Sequence, residues 1–192
     1  MRTLSLYLHF PFCVSKCAYC DFNSQVADAG LRQRYLAALL QEIGSVGDTL
    51  TFPQTHRGPD DNAESLLVTT IYLGGGTPTL YPAAELCQIL SRVRRAFPVV
   101  TRPEVTIEAN PGTVSAASLV MLRESGCNRL SLGVQSLLDP ELRLLGRCHT
   151  AAEARTAVAA ARAAGFDNLS LDLINCLPGQ SVGAWQATLR DA

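Results

Sequence analysis

The run Cys13-Val14-Ser15-Lys16-Cys17-Ala18-Tyr19-Cys20 constrains this chain more than any other stretch. It follows an apolar segment over residues 4–8 and a Pro11-Phe12 turn, so three thiolates can converge on one inorganic centre just after a strand. An iron-sulfur cluster suits this spacing. A [4Fe-4S] cube has four irons, and three Cys ligands leave one iron open to a substrate or cofactor. Zinc is the alternative: it normally takes four ligands, and the nearest sequence neighbours able to complete a set are His9 and Asp21. A disulfide framework fits less well, because the cysteine count of seven is odd and the chain shows no secretory signal. Cys87, Cys127 and Cys148 stand singly in helical or loop contexts and read as scattered core cysteines.

With 192 residues the chain has the length of one domain and can bury a substantial core. Its 16 basic and 17 acidic residues leave a formal net charge of -1, which argues against nucleic acid as a bulk electrostatic partner. No apolar run approaches the ~20 residues that span a bilayer. The chain therefore reads as a cytoplasmic protein without a transmembrane segment, a peripheral membrane contact being left open.

Around the cysteines, strand and helix patterns alternate. Residues 4–9 place Leu4, Leu6 and Leu8 on one side of a strand and Ser5, Tyr7 and His9 on the other. Leu31, Tyr35, Leu36, Leu39, Leu40 and Ile43 recur at helical spacing, and Gly44 and Gly47 are expected to end that helix. A polar loop follows over residues 49–64, where His56 reads as a solvated histidine. A strand over 68–73 runs into Gly74-Gly75-Gly76-Thr77-Pro78-Thr79, and Pro82 opens a helix carrying Leu86, Ile89, Leu90, Val93 and Phe97. The strand over 104–109 ends at Asn110-Pro111-Gly112; Ser115 is the N-cap of a helix that stops near Gly126. The strand over 129–135 precedes a short helix at Asp139-Pro140, and Thr150 with Glu153 forms a capping box for an Ala-rich helix ending at Gly165. The strand over 168–174 leads to a helix marked by Trp185 and Leu189. Five such units predict a parallel α/β architecture, with the chemistry at the carboxyl ends of the strands.

Period-two alternation then selects residues. Val105, Ile107 and Ala109 oppose Thr106 and Glu108; Leu130, Leu132 and Val134 oppose Ser131, Gly133 and Gln135; Leu169, Leu171 and Leu173 oppose Ser170 and Asp172. Helices should cover the apolar sides, leaving Glu108, Gln135 and Asp172, with Tyr7 and His9, to line an interior cavity suited to a polar, cationic ligand. The triple glycine fits neither a dinucleotide fingerprint, since Thr79 occupies the third glycine position, nor a P-loop, since the Lys is missing. Glycines at a strand end let backbone carbonyls or amides approach a ligand closely.

Six motifs together resemble one family along essentially the whole chain. They are Leu6-Tyr7-Leu8-His9-Phe10-Pro11-Phe12-Cys13, the cysteine trio with Tyr19-Cys20-Asp21-Phe22, Gly74-Gly75-Gly76-Thr77-Pro78-Thr79, Ile107-Glu108-Ala109-Asn110-Pro111, Gly133-Val134-Gln135-Ser136 and Leu177-Pro178-Gly179-Gln180. They look like the oxygen-independent coproporphyrinogen III oxidase family of radical S-adenosylmethionine (SAM) proteins. The resemblance implies a partial (β/α)6-type, TIM-like barrel with about five units present, residues 1–192 forming one radical SAM core domain. It implies that Cys13, Cys17 and Cys20 bind a [4Fe-4S] cluster, that Gly75, Gly76 and Thr77 bind the amino-acid end of SAM, and that Glu108, Gln135, Arg147 and Asp172 contact SAM. Tyr7 resembles a tyrosine that packs beside the cluster. One electron from such a cluster, supplied by a donor protein, cleaves a carbon-sulfur bond of SAM to give methionine and a 5′-deoxyadenosyl radical.

The true oxidase carries a further cysteine two residues after the third, where this chain has Phe22. Asp21-Phe22-Asn23-Ser24 instead resembles the HemW branch, haem chaperones, which implies haem or porphyrin and haem-accepting respiratory proteins as partners. Coproporphyrinogen decarboxylation is the alternative activity, and a structural zinc module a distant third. Two departures stand out. Cys176 precedes Leu-Pro-Gly where the family more often has Gly, and the His-Asn motif of the haem-associated C-terminal region is absent, since His9, His56 and His149 precede Phe10, Arg57 and Thr150. Family members are longer and usually have one more strand-helix unit, so the chain is expected to be an N-terminal part whose haem-associated domain lies outside it.

Overall fold

The computed structural model describes residues 2–51 and 66–192; the expected solvated loop histidine, His56, and most of its loop lie outside the described residues. The elements in order are β1 (Arg2–Phe10), β2 (Phe12–Cys13), β3 (Gln25–Val26), α1 (Ala29–Thr51), β4 (Leu66–Gly75), α2 (Ala83–Ala96), β5 (Val99–Ala109), α3 (Ala116–Glu124), β6 (Arg129–Gln135), α4 (Asp139–Leu144), α5 (Ala151–Ala163), β7 (Asn168–Leu173) and α6 (Val182–Asp191). The main sheet is parallel throughout, in the order β1-β4-β5-β6-β7. Long strands following one another across the sheet in chain order, with helical crossovers between them, are the build of a (β/α) barrel. Here it is an arc of five strands with β1 and β7 at its edges.

One row of the register shows why the sequence folds this way. Leu8, Leu73, Ile107, Leu130 and Leu169 lie side by side across all five strands, and Leu73, Ile107 and Leu130 are fully buried. The helices cover this face with Leu86, Ile89, Leu90 and Val93 of α2, Leu119 and Leu122 of α3, and Ala154, Ala157 and Ala161 of α5. Burying such a Leu or Ile side chain contributes about 1.5–3 kcal/mol each. The caps expected at Ser115 and Thr150 are formed, each side chain accepting the backbone N–H three residues on. Gly126 and Gly165 follow α3 and α5 with positive φ, the conformation that ends a helix without a Cβ penalty.

Two expectations are corrected. Gly44 and Gly47 do not end α1, which continues to Thr51. They mark instead where α1 meets α2: a Cβ on Gly47 would lie 2.6 Å from the Ala96 carbonyl oxygen, and one on Gly44 would overlap the Arg92 guanidinium. The helix-breaking tendency of glycine, about 1 kcal/mol per residue, is overridden by a close helix crossing. The third long strand also starts earlier than expected, at Val99, and runs through Pro103. A proline cannot donate to a ladder, and the register slips at this place, from Val68–Val99 to Thr70–Glu104. The Asn128 side chain spans the irregularity, accepting from Val105 N and donating to Pro103 O, both at 2.8 Å.

Candidate functional site

The cysteine loop is fixed first at its stem. Phe10 and Phe12 are buried, their rings edge-on to Tyr81 and Tyr35. Their carbonyls accept from Gly76 N at 2.7 Å and Thr77 N at 2.8 Å. A Cβ on Gly76 would fall 2.6 Å from Phe12 O, so only glycine lets the loop after β4 lie against the cysteine stem. Cys20 N donates to Cys17 O, closing a turn between the second and third cysteines. Where the loop returns, His9 Nε2 donates to Asn23 O at 3.0 Å, and Tyr7 donates to His9 Nδ1. Both ring nitrogens of His9 are therefore engaged.

Over this stem the carboxyl ends of the strands enclose a cavity of about 340 Å³. Cys13, Cys17 and Cys20, all free and half-buried, share its wall with Gly75, Gly76 and Thr77. Glu108, Gln135, Arg147 and Asp172 line the same space. Tyr7 does not: it is 58% exposed on the neighbouring part of the face, stacked on Tyr72 at 5.8 Å.

Each polar group is held by a neighbour. Glu108 accepts from Tyr72 Oη at 2.6 Å and from Gly75 N at 2.9 Å, one donor for each carboxylate oxygen. Burial, and then the bond and charge of Glu108, raise the Tyr72 phenol above its ordinary value, so it stays a donor. Ser131 Oγ donates to Asp172 at 3.2 Å and accepts from Ser170 at 3.1 Å. Burial raises the Asp172 carboxyl, against the lowering effect of Ser131 and Arg129. Gln135 ends β6 with φ of 69°, a left-handed conformation uncommon for a side-chain-bearing residue and enriched at functional sites. The amides of Gly75, Gly76 and Thr77 all have partners within the protein, so what this loop can offer a ligand ammonium is carbonyl oxygen.

The thiols are also contacted. Thr77 Oγ1 lies 3.6 Å from Cys13 Sγ as donor, and Arg147 Nη1 donates to Cys17 Sγ at 3.5 Å and to Tyr19 Oη at 3.4 Å. Arg147 Nη2 donates to Gly133 O at 2.7 Å and to Asn110 Oδ1. Burial is the main cause of the Tyr19 phenol being pushed up to about 12. Among the described residues no three His, Cys, Asp or Glu side chains are grouped so as to share one metal ion. The donor set of soft thiols with N–H and O–H groups beside them fits a cluster, and the carboxylates lining the same cavity fit a cationic cosubstrate.

A family model of the radical SAM superfamily matches residues 7–192. The chain belongs to the radical SAM superfamily. Among curated relatives, the haem chaperone HemW of Haemophilus influenzae is 38% identical over 190 residues, covering 98% of this chain and 47% of the relative. HemW of Bacillus subtilis is 39% identical over 180 residues, covering 93% of this chain and 44% of the relative. The chain thus spans about half the length of the curated relatives it matches. Among solved structures, coproporphyrinogen III oxidase (HemN) of Escherichia coli superposes with a TM-score of 0.85 at 31% identity, covering 99% of this chain and 41% of that one. Radical SAM proteins carry SAM and a [4Fe-4S] cluster, and the five parallel strands with their helices match part of the HemN radical SAM fold. No helix among the described residues is long and apolar enough to cross a membrane.

Three contributors escaped the sequence reading. Tyr72 lies on the polar side of β4, where the alternation that separates it from Ile71 and Leu73 would have found it. Tyr19 sits inside the cysteine run and its family motif but was given no role. Asn110 was read as part of a turn and of a family motif but was given no role at the site, yet its side chain reaches both Arg147 and Thr77.

Proposed function

We propose that residues 1–192 are the radical SAM core of a HemW-type haem chaperone, a cytoplasmic protein whose cluster and SAM support the binding and delivery of haem. The observation that carries the radical SAM part is the shared wall: three free thiols and the side chains of Glu108, Gln135 and Asp172 line one cavity. The HemW relatives and Phe22 support the chaperone part. Phe22 is 63% exposed at the cavity rim, at the position where the resemblance gives the oxidase its further cysteine.

In this reading Cys13, Cys17 and Cys20 hold the cluster, which when bound supplies an electron to the SAM sulfonium. The carbonyls after β4 receive the ammonium of SAM. Glu108, kept in place by Tyr72 and Gly75, faces the same positive end. Asp172 and Gln135 accept from or donate to the ribose, and Arg147 adds positive charge beside Cys17 and closes the wall between loop and strands. Haem, a donor protein for the cluster and haem-accepting respiratory proteins are the further partners.

The likeness to HemN favours a second reading, oxidative decarboxylation of coproporphyrinogen III. The two separate on the full-length protein, reconstituted anaerobically. A chaperone binds haem on titration and forms no protoporphyrinogen; sustained protoporphyrinogen turnover reverses the ranking. Replacing Cys13, Cys17 or Cys20 by Ala abolishes the brown cluster absorption, and wild-type iron content in any of the three sinks the cluster assignment.

A further inference from the structure

Two of the three cluster cysteines have a hydrogen-bond donor aimed at sulfur, and both donors are held by one side chain. Arg147 has only donors, so it must face the carbonyl end of the Asn110 amide, and the NH2 end must then face Thr77. Asn110 Nδ2 donates to Thr77 Oγ1 at 2.8 Å. With its lone pair used in that way, the Thr77 hydroxyl has its proton left for Cys13 Sγ at 3.6 Å, while Arg147, anchored on Asn110 Oδ1 and Gly133 O, points Nη1 at Cys17 Sγ at 3.5 Å. Asn110 is itself fixed at the end of β5, its N–H donating to Thr113 Oγ1 at 3.2 Å. A Cβ on the facing Gly133 would lie 2.9 Å from Asn110 Oδ1, so the glycine makes room for this junction.

We infer that Asn110 is a positioning residue that sets the reduction potential of the cluster, by orienting Thr77 toward Cys13 and Arg147 toward Cys17. The inference rests on the proposed cluster ligation. Its physical basis is that hydrogen bonds and positive charge at the ligating sulfurs favour the reduced, more electron-rich cluster and so raise its potential. The polarity of the amide is what matters: one end must accept and the other donate.

Asn110→Asp tests this, because it keeps the shape and reverses one polarity. A carboxylate still accepts from Arg147 but cannot donate to Thr77. The Thr77 hydroxyl then turns its proton to the carboxylate and leaves Cys13, and a negative charge is added nearby. The reconstituted wild type, Asn110→Asp and Thr77→Val are titrated anaerobically, with the reduced-cluster EPR signal as readout. The expected result is a more negative midpoint in both variants, by about tenfold in the reduction equilibrium or about 59 mV for a one-electron couple. In the Thr77→Val background, Asn110→Asp has a smaller effect, because the hydroxyl it would turn is gone. If the aspartate variant does not load four irons, Asn110→Ser, which removes both long bonds, must shift in the same direction. An unchanged or raised midpoint in a loaded Asn110 variant overturns the inference. Failure of the wild type to take up a cluster would instead overturn the ligation on which it rests.

Discussion

Gly76→Ala is a small change with a large expected effect, because every atom it meets is backbone. The added methyl would lie 2.6 Å from Phe12 O, 2.8 Å from Phe10 O and 2.9 Å from Phe12 N. No side chain can rotate away to relieve this. The loop after β4 must move off the cysteine stem, and the bonds from Gly76 N to Phe10 O and from Thr77 N to Phe12 O lengthen or break. Overpacking of this kind costs about 1–3 kcal/mol, and two backbone hydrogen bonds at about 0.5–1.5 kcal/mol each add about 1–3 more. Destabilisation by about 2–6 kcal/mol is expected, together with displacement of Cys13, which follows Phe12 directly. Gly112→Ala is the control: it lies beside the same site, and a Cβ there meets nothing within 4 Å. The assay is urea unfolding of each apoprotein and iron per chain after anaerobic reconstitution. The alanine at 76 should lower both, and the alanine at 112 should leave both near wild type. Wild-type stability and iron in Gly76→Ala would refute the argument that this glycine exists for the backbone contact.

His149 and Cys176 supply two further tests. His149 is buried, donates from Nε2 to Val134 O at 3.1 Å, and has its pKa lowered below 6.5, first by burial and then by Arg147. A base that stays neutral in the fold but protonates when unfolded gives stability that is complete above pH 6.5 and is lost as pH falls from 6.5 toward the lowered folded value. Urea midpoints of wild type should therefore drop more steeply over that window than those of His149→Gln, and equal slopes would count against it. Cys176 is exposed and has φ of 58°, the left-handed region where a side chain costs about 1–2 kcal/mol. Gly loses about 0.5–1 kcal/mol more backbone entropy on folding. Cys176→Gly should therefore stabilise by up to about 1.5 kcal/mol, raising Tm by up to about 6 °C for a chain of this size; a lower Tm would contradict it.

The positive φ at Cys176 is a conformation that favours glycine, the residue the resemblance leads one to expect there. The strands were legible because each has one apolar face, and a two-residue period fixes which side chains point away from it. Glu108, Gln135 and Asp172 were found by that rule alone, without any relative. Gly44 and Gly47 were misread because local propensity says that glycine ends a helix, while a helix crossing needs it in the middle; the deciding contacts, Arg92 and Ala96, lie in another helix.

Asn110 marks where local reading stops, for a different reason. Its place in Asn-Pro-Gly accounts for it as a turn former, and the motif that contains it gives its side chain no role of its own. The role comes from bonds to residues 33 and 37 positions away, and only the parallel register that brings the ends of β4, β5 and β6 together makes those bonds possible. Sequence patterns thus identify side chains that face a cavity, since facing is a property of one strand. Which donor is aimed at which sulfur depends on three strand ends and a loop at once, and that information is carried by the assembled sheet.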